Sequence, residues 1–110
     1  MQPKDKGLLW DMKTAGEEIQ GFLKGISYND FTNDKKTRYA VERQLLVIGE
    51  AANHISEEFK QERPEIPWKR IIGLRNVLAH EYGDILVDRI WNISKSNVPD
   101  LLTQIGEIHI

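Results

Sequence analysis

Val41, Leu45, Ile48, Ala52, Ile55 and Phe59 recur in alternating steps of four and three, and no window of the chain alternates with period two over a strand's length. Steps of four and three lay one apolar seam along a helix, whereas period two is the signature of a half-buried sheet. The fold class that follows is all-α, an antiparallel bundle of about five helices. The seam predicts a helix from about Asp34 to Gln61, with Thr32 or Asn33 as N-cap and Pro64 as terminator. Leu46 and Val47 lie far round the wheel from the seam, where they fill a second core layer or face a partner subunit. An earlier helix is expected from about Asp5 to Lys24. There Leu8, Met12, Ile19, Leu23 and Ile26 recur at helical spacing, with Leu9 and Phe22 beside them. Gly7, Gly16, Gly21 and Gly25 weaken that helix, so packing must hold it more than propensity does.

Pro67 suits the first turn of a further helix, which the pattern carries through Tyr82 with Gly73 as a break and Gly83 as a stop. Helical character resumes near Leu86 and includes Val87, Ile90, Trp91 and Ile93. Pro99 either kinks that helix or opens a final one containing Leu101, Leu102, Ile105 and Ile108. With no repeat, low-complexity tract or linker, residues 1–110 make one domain with a modest core.

Charge and composition narrow the chemistry. The chain has no cysteine, which excludes disulfide scaffolds and thiolate metal sites. Its first residues lack the apolar run of a signal peptide, and no stretch approaches the roughly 20 apolar residues of a membrane span. A cytoplasmic location without membrane attachment is therefore expected. Formal net charge is -2, so any contact with a phosphate backbone must come from a local cluster or from a surface that several chains share.

Such a cluster is present in Arg75-Asn76-Val77-Leu78-Ala79-His80-Glu81-Tyr82. With Arg75 at zero and about 100° per residue, Ile71, Leu74, Val77 and Leu78 gather between about 200° and 320° as a core stripe. Arg75, Asn76, Ala79, His80 and Tyr82 occupy the complementary arc, Tyr82 about 20° from Arg75. Ala79 among large polar side chains leaves a concavity. Histidine exchanges protons near neutral pH, and arginine grips phosphate oxygens in pairs. Asparagine and tyrosine add neutral hydrogen-bonding groups. These parts suit cleavage of an RNA phosphodiester by its own 2′-hydroxyl, a reaction that needs a base, an acid and a cation but no metal. One chain supplies one histidine on this face, and a two-fold dimer would supply the second. Against this stands the ordinary fact that Arg, His and Tyr on an exposed helix face are usually just solvated.

The string Arg75 to Tyr82 resembles the R-x4-H-x-Y signature of HepT-like toxins, within the HEPN superfamily of helical domains. Ala40-Val41-Glu42-Arg43 and Val47-Ile48-Gly49-Glu50-Ala51-Ala52 look like the family's second helix. Pro64-Glu65-Ile66-Pro67-Trp68 through Leu74 looks like the approach to its motif, and Ile90-Trp91 with Val98-Pro99-Asp100-Leu101 is similar to its closing segment. The resemblance implies a HEPN-type homodimer that cuts RNA in the cleft between protomers, with no metal or other cofactor, leaving a 2′,3′-cyclic phosphate. Arg75 and His80 correspond to the catalytic pair, and Asn76 to the polar residue that follows the arginine. It also implies a nucleotidyltransferase antitoxin of the MntA type, which adds AMP to the motif tyrosine, here Tyr82, and silences the toxin. After Tyr82 the chain reads Gly83-Asp84 where many relatives carry an aromatic residue, which alters the rim of the cleft.

Other candidates carry less. His54, on the flank of the second helix, is read as solvated and His109 as frayed. Neither has a second ligand at metal spacing, which argues against zinc. Glu50 belongs to the recognised stretch and could reach across the site or the dimer, although a plain surface carboxylate is the simpler reading. Arg38, Arg43, Lys69 and Arg70 could extend a basic track, but amphipathic helices carry such residues routinely. Trp68 is expected to anchor a helix start. The alternative to an enzyme is a non-catalytic HEPN subunit that only docks a nucleotidyltransferase; a purely structural dimer leaves the Arg-Asn-His-Tyr face unexplained.

Overall fold

A computed structural model of the chain describes residues 1–109, and among them it holds eight α-helices, one π-helical turn and no strand. Helix α1 (Pro3–Leu23) lies along α3 (Lys35–His54), the most extensive packing in the molecule. Leu9, Met12 and Ile19 from α1 and Val41, Leu45 and Ile48 from α3 are fully buried between them. Phe22, grouped with this core by its spacing, is instead exposed. The pair is antiparallel, because Asp5 in the first turn of α1 meets Ser56 just beyond the end of α3.

That meeting corrects the expectation of one helix from Asp34 to Gln61. The chain leaves α3 at Ile55 with extended geometry, ψ 141°, and Ser56 starts a separate helix α4 (Glu57–Glu62). The Ser56 hydroxyl oxygen accepts from the Phe59 N–H at 3.2 Å while its own O–H donates to Asp5 Oδ2 at 2.7 Å. The Ser56 N–H donates to Asp5 Oδ1 at 2.9 Å. Burial would push the Asp5 carboxyl up, but the bonds from Ser56 and Gln2, with the charge of Lys4, outweigh it and hold it below its ordinary value.

The N-cap of α3 is Asp34, not Thr32 or Asn33. Those two lie at the end of a short helix α2 (Tyr28–Thr32), and Asp34 Oδ1 accepts from the Thr37 N–H at 3.1 Å. Helix α2 buries Phe31 and rests on Trp91 of α7 (Gly83–Asn92), with Tyr28 hydrogen-bonded to Asp88. Trp68 opens α5 (Trp68–Ile72) as the expected anchor. It is buried edge-on to Phe59, and its indole N–H donates to the Arg63 carbonyl at 3.0 Å. Gly73 separates α5 from α6 (Leu74–His80).

Helix α7 passes without a break through a π turn, Ile93–Asn97, into α8 (Val98–Gly106). Pro99 sits in the first turn of α8 and has no N–H to return. The widened turn in front of it shifts the ladder, so that the Val98 N–H bonds to Ile93 O. Helix α8 returns to α1, where Leu102 fills the space over Gly16. Among the described residues no helix is long and apolar enough to cross a membrane.

Candidate active site

Helix α6 carries the polar face. Leu74 is buried and Val77 and Leu78 half-buried, fixing the helix on the core, while Arg75, Asn76, Ala79 and His80 are exposed. The wheel therefore describes the helix as far as His80. It fails beyond that point, because Glu81 (φ -97°, ψ 148°) and Tyr82 (φ -137°, ψ 162°) are extended and Gly83 turns the chain with φ 61°. Tyr82 is thus not on the helix, and the expected 20° offset from Arg75 does not hold. Its side chain projects from a two-residue link at 77% exposure. Gly83, read as a stop, is the first residue of α7; its left-handed backbone suits glycine best.

The link is held at one point. Glu81 accepts from Arg89 Nε at 3.2 Å and Nη2 at 2.7 Å, a two-pronged clamp onto α7. No helical spacing joins this pair, whose partners sit eight residues apart on either side of the boundary that Gly83 marks. Arg75 has a partner as well: its Nε lies 2.7 Å from Glu50 Oε1 on α3. Gly49 lies beside it, where a Cβ would stand a tight 3.2 Å from Ile71 O and an ordinary 3.6 Å from Arg75 Cγ. A glycine beside a glutamate was the available signal for a close helix crossing.

Beside Glu50 runs a shallow groove of about 270 Å³ between α1 and α3, lined in part by Leu8, Arg43, Leu46, Val47 and His54. Leu46 and Val47 are half-buried, and Val47 also touches the core. His54 closes α3, exposed as expected, and His109 is exposed too. The basic track does not assemble as a unit. The Arg38 guanidinium turns inward and donates to Thr32 O at 2.8 Å, closing the end of α2. Arg70 lines a different cavity, about 470 Å³, between α5–α6 and α7–α8. Ala79 borders neither space. Among the described residues no three acidic or histidine side chains are grouped to hold a metal.

Residues 12–108 match the family described as ribonuclease HepT-like. The chain belongs to that family. It is 40% identical over 101 residues to a Thermococcus cleftensis protein named probable ribonuclease HepT, covering 92% of each chain. Two Methanocaldococcus jannaschii proteins that carry provisional RNase names are also similar. One is 40% identical over 100 residues, covering 91% of this chain and 92% of the relative; the other is 38% identical over 109 residues, covering 98% and 90%. No solved structure matches the chain. In this HepT-like domain the fold keeps Arg75, Asn76 and His80 on one short exposed helix, joins Arg75 to Glu50, and sets Tyr82 apart on its own link.

Proposed function

We propose that this chain is an endoribonuclease, the toxin of a toxin–antitoxin pair, working without a metal as a cytoplasmic homodimer. The observation that carries the reading is the exposed α6 face, where an arginine, an asparagine and a histidine stand on a helix anchored by Leu74. In the proposed reaction the 2′-oxygen of the ribose attacks phosphorus as one His80 takes its proton. The bond from phosphorus to the 5′-oxygen breaks, and the second protomer's His80 donates a proton to that leaving oxygen. The product is a 2′,3′-cyclic phosphate and a free 5′-hydroxyl. Arg75 holds the non-bridging oxygens, and Asn76 adds a neutral hydrogen bond.

Tyr82 is the proposed site of AMP addition by a nucleotidyltransferase antitoxin of the MntA type. Its support is no longer a shared helix face but exposure: the phenol stands clear of the protein, two residues from His80, on an extended segment that a transferase pocket can engage. Attached phosphates would bring negative charge next to the cleft and exclude RNA.

The test incubates the purified protein with RNA in excess chelator. Cleavage that ends in cyclic phosphates, and that His80→Ala or Arg75→Ala lowers by about 10²-fold or more, is expected. Cleavage indifferent to both substitutions overturns the assignment. An inert protein that still binds a nucleotidyltransferase would establish the alternative, a non-catalytic docking subunit. Intact mass after incubation with the transferase and ATP should rise by whole AMP increments, and Tyr82→Phe should abolish the rise.

A further inference from the structure

The Arg75–Glu50 contact calls for an explanation that stability does not supply. The two side chains are 49% and 43% exposed, and ion pairs this open to water contribute little to folding. Yet the contact is built across two elements: Glu50 comes from α3, Arg75 from α6, and the neighbouring Gly49 lets α3 lie close to this segment, where a Cβ would press on Ile71 O at 3.2 Å. Glu50 meets the guanidinium at Nε. Among the described residues no acidic group other than Glu50 pairs with Arg75, and with the closest approach at Nε the end-on edge of the guanidinium is the side offered to a ligand. That outer edge is the fork that grips two phosphate oxygens at once.

We propose that Glu50 is a positioning residue that holds the Arg75 guanidinium with its terminal edge toward the scissile phosphate. The inference rests on the reading of Arg75 as the phosphate-binding group. Glu50 acts in two opposed ways. Its carboxylate fixes one of the many rotamers of a long side chain, so the cation is already in place when the phosphorane charge develops. It also cancels part of the positive field that draws any phosphate in, so it weakens ground-state attraction to RNA. A residue with both effects trades loose binding for turnover, and removing it should separate the two.

The experiment compares Glu50→Ala and Glu50→Gln with the unaltered protein in single-turnover cleavage and in RNA binding, with Arg75→Ala alongside. Circular dichroism should show both Glu50 variants folded, because the pair is so exposed. Glu50→Ala should lose about tenfold or more in the cleavage step, while its RNA affinity stays level or rises. Glu50→Gln keeps an oxygen facing Nε and should retain most of the rate. The double variant Glu50→Ala/Arg75→Ala should be no slower than Arg75→Ala alone. The pH profile of Glu50→Ala should keep its shape, displaced only in height. Equal inactivity of the Ala and Gln variants with loss of a limb of the profile would mean that Glu50 itself moves a proton, and would overturn the positioning role. So would Glu50→Ala cleaving at the normal rate while Arg75→Ala is inactive. Normal cleavage by Arg75→Ala would refute instead the underlying reading of the site.

Discussion

Asp5 is the residue whose removal the fold should feel most sharply among the polar groups. It is buried, and it accepts from the Ser56 N–H, the Ser56 O–H and the Gln2 N–H. Replacing it by Asn trades one of its acceptor oxygens for an amide donor and strands at least one of these groups, a cost of about 1–3 kcal/mol readable by urea denaturation. The carboxyl is held below its ordinary value of 3.8, so its charge adds stability above that value, and the addition is lost as pH falls through the depressed one. Asp5→Asn should accordingly flatten the acid limb of the stability curve. At Gly83 the left-handed backbone with φ 61° makes Gly83→Ala cost about 1–2 kcal/mol, checked by the same method. At this scale Arg75 and His80 were legible because five residues of regular helix fix their relation. Tyr82 was not, since a wheel assumes that the helix continues. It ends where Glu81 and Tyr82 become extended and Gly83 takes a left-handed turn into α7, and Arg89 of that helix meets Glu81 there.

Among the elements, the misjudged length of α3 has an instructive cause. Ile55 and Phe59 keep the four-and-three spacing of the seam and are buried, although Ile55 is extended and Phe59 belongs to α4. Burial of both sides of a sharp turn reproduced the periodicity of one helix. Ser56, the capping signal, was indistinguishable from a solvent-face serine without its long-range partner Asp5. The crossing of α3 and α6 gives a sharper prediction. Gly49→Ala gains helix propensity of about 1 kcal/mol but presses a methyl group to 3.2 Å from Ile71 O. The melting temperature should therefore move by only a few degrees, while cleavage falls as α5, and with it the α6 that follows, is displaced. In the π turn, Ser94 is buried and its hydroxyl finds no partner among the described residues. Ser94→Ala should leave stability unchanged or raise it by up to about 1 kcal/mol.

Seen whole, the molecule is an elongated body of 42 × 28 × 19 Å with a net negative charge. Its fifteen lysines and arginines are outnumbered by seventeen acidic residues, and two of the arginines, Arg38 and Arg89, are committed to internal partners, so no broad basic surface faces a nucleic acid. Binding of single-stranded RNA should therefore show a shallow salt dependence. With about 0.7 of a counterion released per neutralised phosphate, log affinity against log salt should slope no more steeply than about -3 in fluorescence anisotropy. The bundle itself was legible from periodicity because α1, α3 and α8 bury one face each. The shape of the site was less so, for it depends on where helices stop rather than on where they run.

The link after His80 also makes the chain readable by a protease. Tyr82 is exposed and extended, whereas every other aromatic residue lies inside a helix. Chymotrypsin should consequently nick the native protein first at the bond between Tyr82 and Gly83. The packing of α8 on α1 would keep the two pieces together until they are denatured on a gel. A phenol esterified to AMP, as proposed, would no longer fit the protease's pocket, so the band pattern itself would report what fraction of the molecules carries the modification.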